Sequence, residues 1–154
     1  MMKFDRQLLI YLPPPVIAAG LLAAAGFIHG VLPFLEILPA TPVGGLVWGA
    51  SGLALAASAA LQFKAIKTTV LPMGSPSELV TLGAYLWTRN PMYLGLLTAL
   101  IGFALFMGTL PFFLVPWFFF LVVNRVHIPY EETVLEKTFG PTYARYLKKV
   151  RRWI

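Results

Sequence analysis

Two polar stretches interrupt an otherwise apolar chain, and their residue types suit a small charged ligand. The first runs from Ser77-Glu78-Leu79-Val80 through Tyr85 to Arg89-Asn90-Pro91-Met92-Tyr93; the second runs from His127 to Tyr146 and holds Glu131-Glu132. Asn90-Pro91 ahead of an apolar run is a helix start, with asparagine as N-cap and proline at the first helical position. Free backbone N–H groups at such a start favour an anionic group such as a carboxylate. Tyr85, Trp87 and Tyr93 offer aromatic faces, each worth about 0.5–2 kcal/mol to a nearby cation. Glu131 and Glu132 supply acceptors for sugar hydroxyls or offset positive charge. A ligand with a carboxylate, a sulfonium and a ribose, such as S-adenosylmethionine, meets all three. Each feature also has a plain structural meaning. Asn-Pro is often only a cap, interfacial Tyr and Trp form the usual aromatic belt of a membrane protein, and the acidic pair can simply face Arg and Lys.

The elements that must hold these residues lie in a membrane. The chain is 58% hydrophobic and only 12% charged, against about 25% charged in soluble chains, and its mean hydropathy is +0.78. The fold class predicted is all-α, an integral membrane bundle of about four transmembrane helices with interfacial helices beside it. The hydrophobic stretches are Val16–Leu35, Val43–Phe63, Tyr93–Met107 and Phe112–Val126. The last two are short, and Gly108 and Pro111 between them mark a tight hairpin turn. Met1–Leu12, with Lys3, Asp5 and Arg6, reads as an interfacial helix stopped by Pro13-Pro14-Pro15. It is expected to stay as an uncleaved anchor, since no small-residue cleavage site precedes the next polar segment. Residues 1–154 are taken as one domain, with two packing spans in 1–63 and a ligand-binding half in 64–154. Gly26-x-x-x-Gly30 and Gly45-x-x-x-Gly49, continued by Ala56 and Ala60, are small faces on which helices approach closely, and they allow a homodimer. His29, ionisable within the first span, reads as a neutral histidine bonded to a neighbouring helix.

Charge sets the orientation. All 12 Lys and Arg residues fall on one side of a four-span chain, because Glu36–Pro42 and Gly108–Pro111 contain none. By the positive-inside rule that side is cytoplasmic, and both termini and both polar stretches lie there. The basic pI near 9.8 is therefore topological, and no nucleic-acid partner is expected; the partner is the lipid bilayer. The absence of cysteine excludes disulfides, thiolate metal sites and cysteine nucleophiles, and no metal site is expected.

Arg89-Asn90-Pro91-Met92-Tyr93-Leu94-Gly95 resembles the R-H/N-P-x-Y-x-G signature of the isoprenylcysteine carboxyl methyltransferase family and its phospholipid methyltransferase relatives. Glu131-Glu132-x-x-Leu135, followed by Phe139-Gly140-x-x-Tyr143-x-x-Tyr146, resembles that family's second signature in order and spacing. The likeness covers roughly Ser77–Ile154. It implies an S-adenosylmethionine-dependent methyltransferase, releasing S-adenosylhomocysteine, with the cofactor held at the cytoplasmic interface. Positions matching Ser77, Glu78, Leu79, Val80, Tyr85, Arg89, Asn90, Pro91, Met92, Tyr93 and Glu131 are implied to hold the cofactor. Two departures from the family pattern stand out. Asn90 replaces the common histidine, as in bacterial-type members, and His127 replaces a substrate-side arginine four residues before the first glutamate. Arg125 is the nearest guanidinium to take that role.

The implied reaction is in-line attack on the sulfonium methyl by a lipophilic acceptor arriving from the bilayer, with positioning and electrostatics as the main sources of rate. An isoprenylcysteine-type carboxylate needs no general base; a phospholipid amine, small amine or thiol calls on His127 or Glu132. Arg125, His127 and Glu132 are thus the catalytic candidates. Two other readings remain: a non-enzymatic lipid anchor, using Lys148-Lys149-Val150-Arg151-Arg152-Trp153 on anionic headgroups, and a small-molecule transporter, which four spans without paired broken helices support little. Tyr143 and Tyr146 are read as packing residues of an amphipathic carboxy-terminal helix, and Phe139-Gly140 as a helix stop.

Overall fold

The computed structural model describes residues 6–32, 36–65 and 77–154. Lys3, Asp5, Lys67 and the end of the first predicted span at Leu35 lie outside them. The fold is the all-α bundle expected: among the described residues the only β features are two isolated bridges. The helices are α1 (Arg6–Tyr11), α2 (Pro14–Val31), α3 (Pro42–Ala65), α4 (Pro91–Met107), α5 (Leu110–Val122), α6 (Ile128–Phe139) and α7 (Pro141–Lys149). A 3₁₀ turn, Gly83–Leu86, precedes α4, and a π-helical segment, Val123–His127, joins α5 to α6.

Proline punctuates the chain. Helices α2, α4, α5, α6 and α7 all carry it in their first two positions, where its missing N–H costs nothing and its fixed φ is already helical. Pro129 is the special case, because α5, the π segment and α6 form one continuous 30-residue helix, Leu110–Phe139. The Pro129 ring would crowd the carbonyl four residues back, that of Arg125, and the wider π turn at that place relieves the conflict. The apolar stretch ends at Val126, but the helix runs on to Phe139. Thirty residues of helix measure about 45 Å against a hydrocarbon core of about 30 Å, so the charged end of this helix projects into water.

Among the described residues three helices are long and apolar enough to cross a membrane, α2, α3 and Leu110–Phe139, with α4 a shorter apolar companion. The chain is an integral membrane protein. Helix α2 packs on α5, α4 packs on α5, and α3 lies along α4. Leu100, Ala104, Phe112, Val115, Phe119 and Val123 form the centre, and Ala18 and Ala25 of α2 close it.

Helices α3 and α4 meet backbone to backbone. A methyl group added to Gly45 would lie 2.7 Å from the Gly102 carbonyl oxygen, and one on Gly52 would lie 2.6 Å from that of Gly95. Only glycine permits that approach. The other predicted small face behaves differently. Around Gly26 and Gly30 none of the described residues lies within 4 Å of such a methyl group, so this face of α2 is exposed and packs on none of them.

At the end of the bundle away from the polar stretches, Gly108 takes φ +70° to cap α4. Its carbonyl accepts hydrogen bonds from the Ile37 and Leu38 N–H groups at 3.1 and 3.2 Å. The two loops that contain no Lys or Arg are thereby joined at one end, while Arg89 and the basic tail pair at the other through the Thr88–Arg151 bridge.

Candidate active site

Closing the α4–α5 hairpin brings the two polar stretches together around one cavity of about 320 Å³, within the range of small-molecule sites, about 300–1,000 Å³. Its centre is a hydrogen bond. Tyr93, in the first turn of α4, donates its hydroxyl to Glu131 Oε1 at 2.5 Å. Helix α4 places Tyr93 there because Pro91 starts the helix at a fixed point, and the α5–π–α6 helix delivers Glu131 from the opposite wall. Glu131 has no ion pair among the described residues.

Glu132, its neighbour, is fully engaged. Arg152 donates from Nε and Nη2 to the two Glu132 oxygens, with Nε 3.1 Å from Oε1, and Arg89 Nη2 lies 3.3 Å from Oε1. Arg89 keeps its Nε buried with no acceptor, a spare donor on a residue that lines the cavity. Tyr85, Tyr143 and Tyr146 form an aromatic wall. Phe63 of α3 meets Tyr85 edge to face at 5.5 Å, and the Tyr146 hydroxyl donates to the Tyr85 carbonyl at 2.7 Å. Burial, with the nearby charge of Glu131 adding to it, pushes the Tyr85 phenol well up. Burial likewise pushes Tyr146 to about 12, against the opposing pull of Arg89. It also lifts Tyr143 to about 12, with Glu132 assisting and Arg89 opposing. All three phenols stay neutral donors at any working pH.

Of the residues singled out in the sequence, Glu78, Leu79, Val80, Tyr85, Arg89, Asn90, Met92, Tyr93, Glu131 and Glu132 line this cavity. Pro91 is buried behind it as the first residue of α4. Ser77 is exposed and off the lining, as is Arg125. Trp87, 82% exposed, is not part of the aromatic wall. His127 is 1% exposed and faces away: its Nε2 lies 3.1 Å from the Leu12 carbonyl oxygen, which ties the α1–α2 junction to the π segment. Asn90 sits at the N-cap position, yet its side chain makes no cap bond; Nδ2 donates instead to the Arg152 carbonyl at 2.9 Å.

Several lining residues carried no reading as ligand contacts: Pro13, Pro14, Pro15, Phe63, Leu96, Val134, Leu135, Tyr143 and Tyr146. Val134 and Leu135 stand three and four positions after Glu131 and so share its helix face. The three-residue spacing of Tyr143 and Tyr146 gave a common face too, but not the direction in which it points. The prolines had no signal at all, since only tertiary contact brings the start of α2 over the cavity.

The cavity wall combines charged and phenolic side chains with apolar ones such as Phe63, Leu96 and Val134, all carried on a membrane-embedded scaffold. The profile of the phospholipid methyltransferase family matches residues 40–142, well over half of the chain. The chain belongs to the phospholipid methyltransferase family and is a membrane methyltransferase. Over 63 residues it is 46% identical to an uncharacterized protein of Haemophilus influenzae, covering 41% of this chain and all of that one. Over 76 residues it is 40% identical to a protein-S-isoprenylcysteine O-methyltransferase of Schizosaccharomyces pombe, covering 47% of this chain. That match spans 30% of the length of the fission-yeast protein. No solved structure matches the chain.

Proposed function

We propose that this protein transfers a methyl group from S-adenosylmethionine to a lipophilic acceptor at the cytoplasmic face of the membrane, and that the acceptor is an isoprenylcysteine-type carboxylate. The observation that carries this reading is the Glu131 carboxylate, held by Tyr93 on the cavity wall and matched by no cation among the described residues. A partly buried carboxylate without a counter-charge suits a cationic ligand, because burying an unpaired charge is otherwise costly. When bound, S-adenosylmethionine supplies an electrophilic methyl group on a sulfonium. The chain's own residues do the rest. Glu131 faces the positive charge, the rings of Tyr85, Tyr143 and Tyr146 offer faces, the Tyr85 and Tyr143 hydroxyls offer donors, and Arg89 on the cavity wall brings a guanidinium to a carboxylate. Pro13, Phe63, Met92 and Leu96 give the cavity an apolar side on which a lipid-soluble acceptor can rest.

The arrangement favours an acceptor that is already ionised. Of the two bases named in the sequence, Glu132 is spent on two guanidinium groups, and His127, whose Nε2 faces the Leu12 carbonyl and whose Nδ1 is buried, is not among the residues that line the cavity. Membership of the phospholipid methyltransferase family supports a second reading, in which the acceptor is a phospholipid amine. The cytoplasmic orientation rests on the placement of Arg89 and the basic tail at the cavity end, opposite the two loops that contain no Lys or Arg.

Calorimetric titration of the detergent-solubilised protein with S-adenosylmethionine tests the cofactor. Saturable binding is expected, weakened about tenfold in Tyr93→Phe by loss of a charge-assisted hydrogen bond; a folded wild type that binds none would remove the cofactor from this proposal. The acceptor is settled by labelled methyl transfer in lipid nanodiscs. Methyl ester products release labelled methanol in alkali, whereas N-methyl products do not.

A further inference from the structure

Beyond the two signature stretches, which end at Tyr146, residues 151–153 make a set of contacts with the rest of the site. The Arg151 carbonyl accepts the Arg89 N–H at 2.9 Å. The next carbonyl, that of Arg152, accepts from Thr88 Oγ1 at 3.0 Å and from Asn90 Nδ2 at 2.9 Å. The Arg152 guanidinium holds both oxygens of Glu132. Trp153 Nε1 donates to Asn124 Oδ1 at 3.1 Å, and its ring lies 5.1 Å from that of Phe120. One short segment thus grips three separate pieces of the site: the chain leading into α4, the start of α6, and the π segment between α5 and α6.

We propose that Arg152 and Trp153 are positioning residues, forming a strap that sets the height of α4 against α6 and so assembles the Tyr93–Glu131 pair. Neither residue lines the cavity, so neither acts on a ligand directly. Tyr93 is three residues beyond the strapped Asn90, and Glu131 is one residue before the strapped Glu132. A shift of one wall against the other separates the hydroxyl from the carboxylate. The strap has an electrostatic part as well. By sharing Glu132 with Arg89, Arg152 keeps that carboxylate turned to the guanidinium groups and leaves Glu131 to face the cavity. The inference rests on the cofactor reading for its functional consequence but not for its structural one.

The test separates the two. Hydrogen exchange on the full-length protein is compared between wild type, Trp153→Ala and Trp153→Phe, with helical content checked by circular dichroism. In Trp153→Ala, protection is expected to fall about tenfold or more in residues 88–93 and 124–132, while α2 and α3 exchange as in wild type. Trp153→Phe keeps the ring on Phe120 and loses the donor to Asn124, and an intermediate loss is expected. Unchanged protection in these two segments overturns the strap, whether or not the protein binds the cofactor. On the functional side, Trp153→Ala is expected to weaken S-adenosylmethionine binding about tenfold, and by less than about twofold in a Tyr93→Phe background, because both changes act through one pair. Additive losses overturn the positioning role. Arg152→Lys, which keeps the charge, is expected to recover most of the affinity lost in Arg152→Ala; equal losses overturn the charge-sharing part. If the wild type binds no S-adenosylmethionine while the exchange data show the strap, the failure lies with the cofactor reading alone.

Discussion

Glu131→Gln is expected to weaken S-adenosylmethionine binding about 100-fold, because a unit charge about 5 Å from a carboxylate at an effective dielectric of about 20 is worth about 3 kcal/mol. S-adenosylhomocysteine carries a neutral thioether in place of the sulfonium. Its affinity should fall by less than about fivefold, the scale of one altered hydrogen bond. The comparison is more informative than either value. Glutamine keeps the size of glutamate and can still accept from Tyr93, so the cavity shape is preserved and only the charge is removed. Calorimetric titration with both compounds reads the ratio directly. A loss equal for both would show that Glu131 serves the shape of the pocket, and the electrostatic account of the site would fail. Catalysis should suffer too, through poor occupancy. At saturating cofactor the turnover deficit is expected to shrink, since no proton passes through this carboxylate when the acceptor is already anionic.

The second large effect concerns the contact of α3 and α4. Gly52→Val and Gly102→Val are each expected to destabilise the folded bundle by about 3 kcal/mol or more, at or beyond the upper end of overpacking costs. The Cβ of residue 52 would meet the Gly95 carbonyl at 2.6 Å, and that of residue 102 the Gly45 carbonyl at 2.7 Å. The obstruction in both cases is backbone, which cannot turn aside as a side chain does. Gly26→Ala and Gly30→Ala are the internal controls. None of the described residues lies within 4 Å of either added methyl group, and alanine is the better helix former by about 1 kcal/mol. These two are expected to be neutral or mildly stabilising. Thermal unfolding in detergent, followed by helical circular dichroism, distinguishes the pairs. The contact also matters to the site, because α3 carries Phe63 into the cavity wall. If the valine variants melt with the wild type, α3 does not lie on α4 as described.

Much of this protein was legible in the order of its residues. Composition and the lengths of the apolar runs determined an all-α membrane bundle, because lipid leaves backbone polar groups no partner outside a helix. Gly108 and Pro111 marked the hairpin, and Gly140, with φ +47°, marked the stop between α6 and α7. The Gly45–Gly49 face was readable as a contact. Its twin at Gly26–Gly30 was indistinguishable by spacing, since small residues permit a close approach without specifying that one occurs. The sequence reading gave Glu131 to the cofactor and Glu132 to proton transfer, but not the partners that each carboxylate meets.

The tertiary structure decided what each of those residues does. The π segment adds a residue to one turn just before Pro129, and this rotates everything after it by about 100° relative to an unbroken α-helix. That rotation fixes which of two adjacent carboxylates meets Tyr93 and which meets Arg89 and Arg152. The family resemblance had made His127 and Arg125 catalytic candidates; the fold sends one to the Leu12 carbonyl and the other to the surface. Distant segments, Pro13–Pro15 at one end and Arg152–Trp153 at the other, reach the site through contacts that no periodicity announces. The sequence by itself determined the solvent the helices live in and the chemistry gathered at one end of them. Facing, pairing and closure were left to the packing, because they depend on contacts between residues far apart in the chain.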